Sequence, residues 1–366
     1  MKIHNWENFL FITGYHIALV ALIPAYIAHF HWSSLVLFAA AYLLAGISIT
    51  AGYHRLFSHR SYRARPVIEW LTLFFGTLAF ESSALAWSSD HRTHHRHVDT
   101  DKDPYNINRG FWYAHVWWIF ENKLKVNPVI VRDLMKNKRV LFQHNHLVAL
   151  TIASNALVWG IGCLFMHPVA ALFAGVLLRA FAIHHCTWFV NSLCHMFGSK
   201  TYAKELSAVD NSLLALVTLG EGYHNYHHAS ANDYRNGVGW WHFDPTKWLL
   251  WTFARVGLVS NLRRVEKVRL QKLLVGKDME LLLQRFKHEV DGAAIELRRR
   301  AEQKAHSFEV TASQLLKKIK EMREASNTRR KMLKLEVRAL KKELREMWKD
   351  WIALTQQGLR QNLIDS

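Results

Sequence analysis

The chain has 366 residues, half of them hydrophobic, a net charge of +18 and three cysteines, Cys163, Cys186 and Cys194, in no disulfide or metal-binding spacing. That cysteine pattern gives no disulfide framework, and the positive charge comes with no recognition motif that would support nucleic acid as a partner. The near-neutral mean hydropathy of −0.05 averages an apolar first two-thirds and a charged last third.

In chain order, Phe9 to Phe30 is a run of 22 residues without Lys, Arg, Asp or Glu, and Ser33 to Tyr53 follows it almost directly. Each is long enough to cross a hydrocarbon core of about 30 Å as a helix. The first is too long, and too closely followed by a second, for a signal peptide. Val67 to Phe80 is apolar but short and holds Glu69, which suits an interfacial or buried helix. Leu147 to Met166 and Val169 to Val190 repeat the hairpin, with one intramembrane charge, Arg179. The pattern predicts four spans, about 9–30, 33–53, 147–166 and 169–190. The turns at His31-Trp32 and His167-Pro168 carry no Lys or Arg, whereas the segment joining the hairpins holds Arg60, Arg63, Arg65, Arg109, Lys136 and Lys138 among others. The positive-inside rule therefore places that segment and both termini in the cytoplasm.

Eight histidines fall in three clusters just outside the apolar runs: His54 and His59, then His91, His94 and His95, then His224, His227 and His228. On a regular helix each triplet fits within an arc of about 100° and can face one pocket, while His54 and His59 stand about 140° apart and point to different metals. Eight imidazoles exceed what one ion holds, so two metals are the economical count. Imidazole suits zinc, copper, iron or nickel, and spacing does not choose among them.

The boxes His-x4-His, His-x2-His-His and His-x2-His-His, in this order between these apolar runs, resemble the membrane fatty acyl desaturases of the stearoyl-CoA Δ9 type. So do Ile49-Thr50-Ala51-Gly52, Asp101-Lys102-Asp103-Pro104, Asn191-Ser192-Leu193-Cys194-His195-Met196-Phe197-Gly198 and Glu221-Gly222-Tyr223. The resemblance runs from about residue 6 to about 265. It implies an all-α integral membrane protein in which four transmembrane helices are capped by a cytoplasmic helical domain holding a His-rich di-metal site. It further implies two iron ions, O2 as co-substrate, and a cis double bond, at Δ9, in a saturated C16 or C18 acyl chain, with no catalytic residue beyond the metal centre. It adds His195 as a ninth ligand and Asn191 as a ligand acting through water.

In the same family, the positions of Phe38 and Tyr42 close the far end of the acyl channel, and both are bulky here, which favours C16 beside C18 chains. Of the residues that hold the CoA head group, Asn8 and Lys123 are matched, whereas Glu7, Ser89 and Asn122 stand where arginines would be. Fewer charge-assisted phosphate contacts leave acyl-CoA, acyl lipid and acyl carrier protein open as substrates, with Arg92, Arg96 and Arg109 as substitutes near the site. No cytochrome b5-like segment is present, so a ferredoxin, rubredoxin or cytochrome b5-type donor must supply electrons. Asp90, Asp99, Asp101, Asp103 and Glu221 lie beside the boxes and can orient ligand imidazoles. A membrane hydroxylase or lipid oxygenase would use similar boxes. A metal transporter would instead place its ligands inside the spans.

From residue 266 the chain has no proline, three glycines and dense Lys, Arg, Glu and Leu, a composition for long helix. Phe308, Ala312, Leu315, Ile319 and Met322 alternate steps of four and three, as do Leu333, Val337, Leu340, Leu344, Met347, Trp351 and Leu354, with a register slip between the sets. The reading is a desaturase-like domain over 1–265 and a basic helical or coiled-coil extension over 266–366. Residues 261–366 hold 26 basic and 15 acidic residues, a net +11, which suits self-association, a partner helix, membrane lipid or an acidic electron carrier.

Overall fold

The computed structural model describes residues 2–121, 126–286 and 292–360. The chain divides into two compact units, Met1–Arg264 and Val265–Ser366.

Among the described residues of the first unit, two helices are long and apolar enough to cross a membrane. Ser33–Ser58 has 26 residues and Pro168–His195 has 28. Lys138–Asn145 and Leu147–Cys163 would make a third only if taken as one span through a bend of 81°. The first predicted span is divided: Trp6–Ala21 gives way at Leu22 to the short Ile23–Ala28. Pro24 explains the break, because its ring removes a backbone donor and crowds the carbonyl four residues earlier. Pro66–Gly76 and its continuation Thr77–Ala79 form the short apolar helix expected between the hairpins. Two residue pairs, Arg63–Ala64 and Val259–Ser260, form the one antiparallel ribbon among the described residues.

Arg179 shows how a charge is accommodated in this apolar frame. It is fully buried, donates to the carbonyls of Gly175 and Leu78 and to the Asn155 side chain, and lies over the Phe80 ring. The guanidinium thus ties Pro168–His195 to Leu147–Cys163 through hydrogen bonds, as an intramembrane cation must be satisfied by protein groups.

Two segments within the long helices widen into π-type turns, Ser48–Ser58 and Phe173–Leu178. The first ends with the His59 amide donating to the His54 carbonyl at 3.0 Å. Helix Ala84–His97 starts at Ser83, whose hydroxyl accepts the Ala86 amide, and His224–Ala229 is a short helix entered from Tyr223. These three elements carry the histidine boxes.

The second unit contains Lys267–Arg285, Gly292–Glu324 and Asn327–Arg360. Ion pairs fix their directions. Lys304–Asp350 and Lys318–Glu336 set the two long helices antiparallel, and Lys272–Glu309 with Arg323–Glu266 does the same for the first and second. The two heptad-like sets face each other across this hairpin, so the register slip is the turn between the helices. Phe308, Leu315, Val337, Leu344 and Trp351 form the shared core. The Trp351 indole donates to Asp278 at 3.2 Å inside it.

Replacing Trp351 with alanine empties the centre of this core and should cost about 3–5 kcal/mol, read as a lowered denaturant midpoint for protease cleavage within 267–360. No change in cleavage would mean that the packing is not as described.

Candidate metal centre

Nine imidazoles converge in two groups. His54, His59, His91, His95 and His227 form one, and His94, His195, His224 and His228 the other, the ligand atoms of each lying within 4.8 Å of one another. The π-type turns bring His54 and His59 together. With backbone bonds from i to i+5, residues five apart share a face, so the pair joins one group and does not divide between two metals. The triplets also differ from the regular-helix expectation, since each straddles both groups. The i, i+4 pairs His91/His95 and His224/His228 each stay within one group, and the i+3 members His94 and His227 cross to the other.

The ring nitrogens meet edge to edge. Nε2 of His59 lies 2.7 Å from Nε2 of His91, His54 3.0 Å and His95 2.9 Å from His227, and His224 3.1 Å from His195 and 3.0 Å from His228. The opposite nitrogens of several rings are held by acceptors. His94 Nδ1 donates to Asp103 at 2.9 Å, His54 Nδ1 lies 2.9 Å from Glu221, and His195 Nδ1 donates to the Ser207 hydroxyl at 2.6 Å, which in turn donates to Asp99. A proton fixed on Nδ1 leaves Nε2 as a lone pair aimed at its neighbours, an arrangement that suits cations between them.

Burial first, and neighbouring imidazoles second, push the pKa values of His59, His91, His95, His224, His227 and His228 well below 6.5. The rings are therefore neutral at pH 7, the form that ligates. Burial alone would raise the Glu221 carboxyl, but His54 and Arg55 outweigh it and hold the group below the usual range. Arg55 is itself buried and bridges Glu221 and Asp244 at 3.0 Å each. Asp244 accepts the amides of Asn236, Gly237 and Lys247, so one ionic network locks the first box to the loop beyond the third.

A cavity of about 690 Å³ reaches this centre. It is lined by His54, His91, His94 and His224 at one end, and by apolar side chains including Ile12, Ile49, Ile183 and Leu219. Glu81 crosses its wall, accepting from Thr187 at 2.7 Å and from the Trp87 indole at 3.0 Å. Burial pushes the Glu81 carboxyl up to about 7 against the pull of those two hydrogen bonds.

The sequence model described as "Fatty acid desaturase" matches residues 30–260. A probable acyl-CoA desaturase of Schizosaccharomyces pombe is 40% identical over 290 residues, 76% of this chain and 58% of the relative. An sn-1 stearoyl-lipid 9-desaturase of Anabaena variabilis is 34% identical over 72% of this chain and 95% of its own length. The human stearoyl-CoA desaturase is 33% identical, over 72% and 75%. The chain belongs to the fatty acid desaturase family. It spans little more than half the length of the two fungal relatives, 58% and 55%.

Within this family frame, Asn8, Tyr42 and Asn191 line the cavity. Phe38 is not among its lining residues, but its ring meets that of Tyr42 at 5.9 Å, and the Tyr42 hydroxyl donates to the Val217 carbonyl. Lys123 and Asn122 lie outside the described residues. Arg92 does not serve as a head-group cation. It is turned inward, paired with Asp133 at 2.6 Å and donating to the carbonyls of Ser58, Phe57 and Ile130. Arg109 pairs with Glu121, and Arg96 is exposed. Asp103 meets the His94 ring, Glu221 stands beside the His54 ring and Asp99 reaches His195 through Ser207, whereas Asp101 is exposed and Asp90 lines the cavity. Sequence reasoning missed Arg55, Asp244, Ser207, Glu81, Trp87 and Thr187, single residues with no spacing signal.

Glu221→Gln keeps the volume but weakens the hold on His54, and should lower affinity for ferrous iron about 10–100-fold in titrations of the metal-free protein. Unchanged affinity would remove Glu221 from the site's support. Because the folded imidazoles resist protonation, the unfolded chain takes up more protons below its ordinary imidazole pKa of about 6.5. The metal-free protein should thus be most stable above that pH and lose thermal stability as pH falls through it. A flat melting profile between pH 7 and 5 would show that these rings do not carry the depressed values.

Proposed function

We propose that this chain is an O2-dependent fatty acyl desaturase that introduces a cis double bond, at Δ9, into saturated C16 or C18 acyl chains at a di-iron centre. The observation that carries this reading is the meeting of two imidazole groups with an apolar cavity. Nine imidazole donors exceed one tetrahedral zinc site, and they suit two borderline metals such as iron. When bound, the iron pair supplies the redox chemistry, the reduction of O2 that removing hydrogen from unactivated methylenes requires.

The protein's own residues do the remaining work. Apolar walls bind the chain and exclude water, Tyr42 limits the depth to which it enters, and the Glu81–Trp87–Thr187 bridge shapes the wall beside the histidines. Fixing one carbon pair against the reacting centre is a positioning effect. In sum, the acyl chain's two hydrogens, two protons, two electrons and O2 become the alkene and two waters. The electrons come from a separate carrier, a ferredoxin, rubredoxin or cytochrome b5-type protein. Relatives are named for both acyl-CoA and stearoyl-lipid substrates, and either carrier fits a chain in which Ser89, buried and accepting the Asn127 amide, offers no phosphate contact.

In this reading the enzyme is a multi-pass membrane protein with four spans, both termini and the metal centre being cytoplasmic, supported by the distribution of Lys and Arg around the apolar runs. Residues 1–265 are the desaturase domain, and 266–366 are an added basic extension.

Expression in a desaturase-deficient host, with double-bond localisation by gas chromatography and mass spectrometry, should yield new Δ9 cis-monoenes that disappear with His94→Ala. Hydroxylated chains would replace desaturation by oxygen insertion. Tyr42→Ala should lengthen the preferred chain, raising the ratio of C18 to C16 products, and an unchanged ratio would remove Tyr42 from the channel's end.

A further inference from the structure

The helix Asn327–Arg360 is divided lengthwise into three sectors. At 100° per residue, Leu333, Val337, Leu340, Leu344, Met347 and Trp351 form the core stripe. Glu336, Glu343, Glu346 and Asp350 form a second stripe on one flank, and Glu336 and Asp350 there meet Lys318 and Lys304 of the neighbouring helix. On the opposite flank, Lys331, Lys334, Arg338, Lys341, Lys342, Arg345 and Lys349 fall within an arc of about 100° that contains no acid. All seven are exposed. Among the described residues only Lys349 of the seven forms an ion pair, with Glu346 on its own helix.

Two acids of this helix, Glu336 and Asp350, are thus engaged by the neighbouring helix, while six of the seven cations stand in a straight row with no ion pair among the described residues. Its ends are 18 residues apart, about 27 Å at 1.5 Å per residue. Leu335 is exposed beside it at 66%.

We propose that this row is a docking surface for the anionic head groups of a lipid bilayer. A straight row of cations along a rigid helix matches a flat, continuous negative surface, where each Lys or Arg near the lipid adds to the attraction. The same chain carries two helices long and apolar enough to cross a membrane. A surface tethered to a membrane in this way binds it as an intramolecular event, at high effective concentration. The exposed Leu335 adds apolar contact at the margin of the row. The 30–260 family match does not reach these residues.

The test uses the full chain in nanodiscs, with a fluorescent donor on Leu335→Cys and an acceptor on lipid head groups. Energy transfer should be several-fold greater in phosphatidylcholine mixed with phosphatidylserine than in phosphatidylcholine alone. It should fall as salt screens the charges and drop to the phosphatidylcholine value when Lys334, Arg338, Lys341 and Arg345 are changed together to glutamine, with helicity and iron content retained. Equal transfer in the two bilayers would overturn the proposal. Lipid-independent transfer, with the fourfold variant losing affinity for an acidic electron carrier, would equally overturn it by giving the surface to a protein partner.

Discussion

Everything in the first unit answers to one constraint, the packing of nine imidazoles so closely that their ring nitrogens stand 2.7 to 3.2 Å apart. Burial and neighbouring imidazoles hold His59, His91, His95, His224, His227 and His228 neutral at pH 7, and neutral rings present lone pairs to one another. Cations relieve that arrangement. Asp103, and Asp99 through Ser207, hold protons on the outer nitrogens of His94 and His195 and leave the inner ones facing the cluster, and the Glu221 carboxylate stands 2.9 Å from His54 Nδ1. Arg55 and Asp244 then hold Glu221, so the ligand geometry rests on a buried ionic network that joins the first and third boxes.

Helix geometry explains how three short motifs make two imidazole groups. The His-x2-His-His pattern supplies an i, i+4 pair to one group and its i+3 member to the other, and two such helices interlock with their roles exchanged. The first box cannot contribute two rings to one group from a regular helix. The π-type turns over Ser48–Ser58 remove that restriction, at the end of the second apolar run where it gives way to polar residues.

Much of this was legible in the chain. The boxes, the apolar runs, the short helix near Val67 and the two heptad-like stripes all follow from residue spacing. The stripes lacked only the recognition that a register slip can be a turn. Pro24 was visible in the first apolar run, and its effect on the helix is local and ordinary. The pairing of His54 with His59 was not legible, because a π-type turn leaves no periodic signal in so short a segment. His195 had no spacing to distinguish it and came through resemblance. Glu81, Trp87 and Thr187 are distant in sequence, and only the fold shows that they share one wall. Arg92 stands among the candidate head-group cations in the sequence because its residue type says nothing of the three carbonyls and the carboxylate that enclose it.

The most direct test of the two-metal account is the Mössbauer spectrum of purified protein loaded with iron-57, taken with its iron content. Two irons per chain in two distinct nitrogen-rich environments of equal abundance would match groups of five and four imidazoles. One iron per chain, or full occupancy by a single tetrahedral zinc, would contradict it.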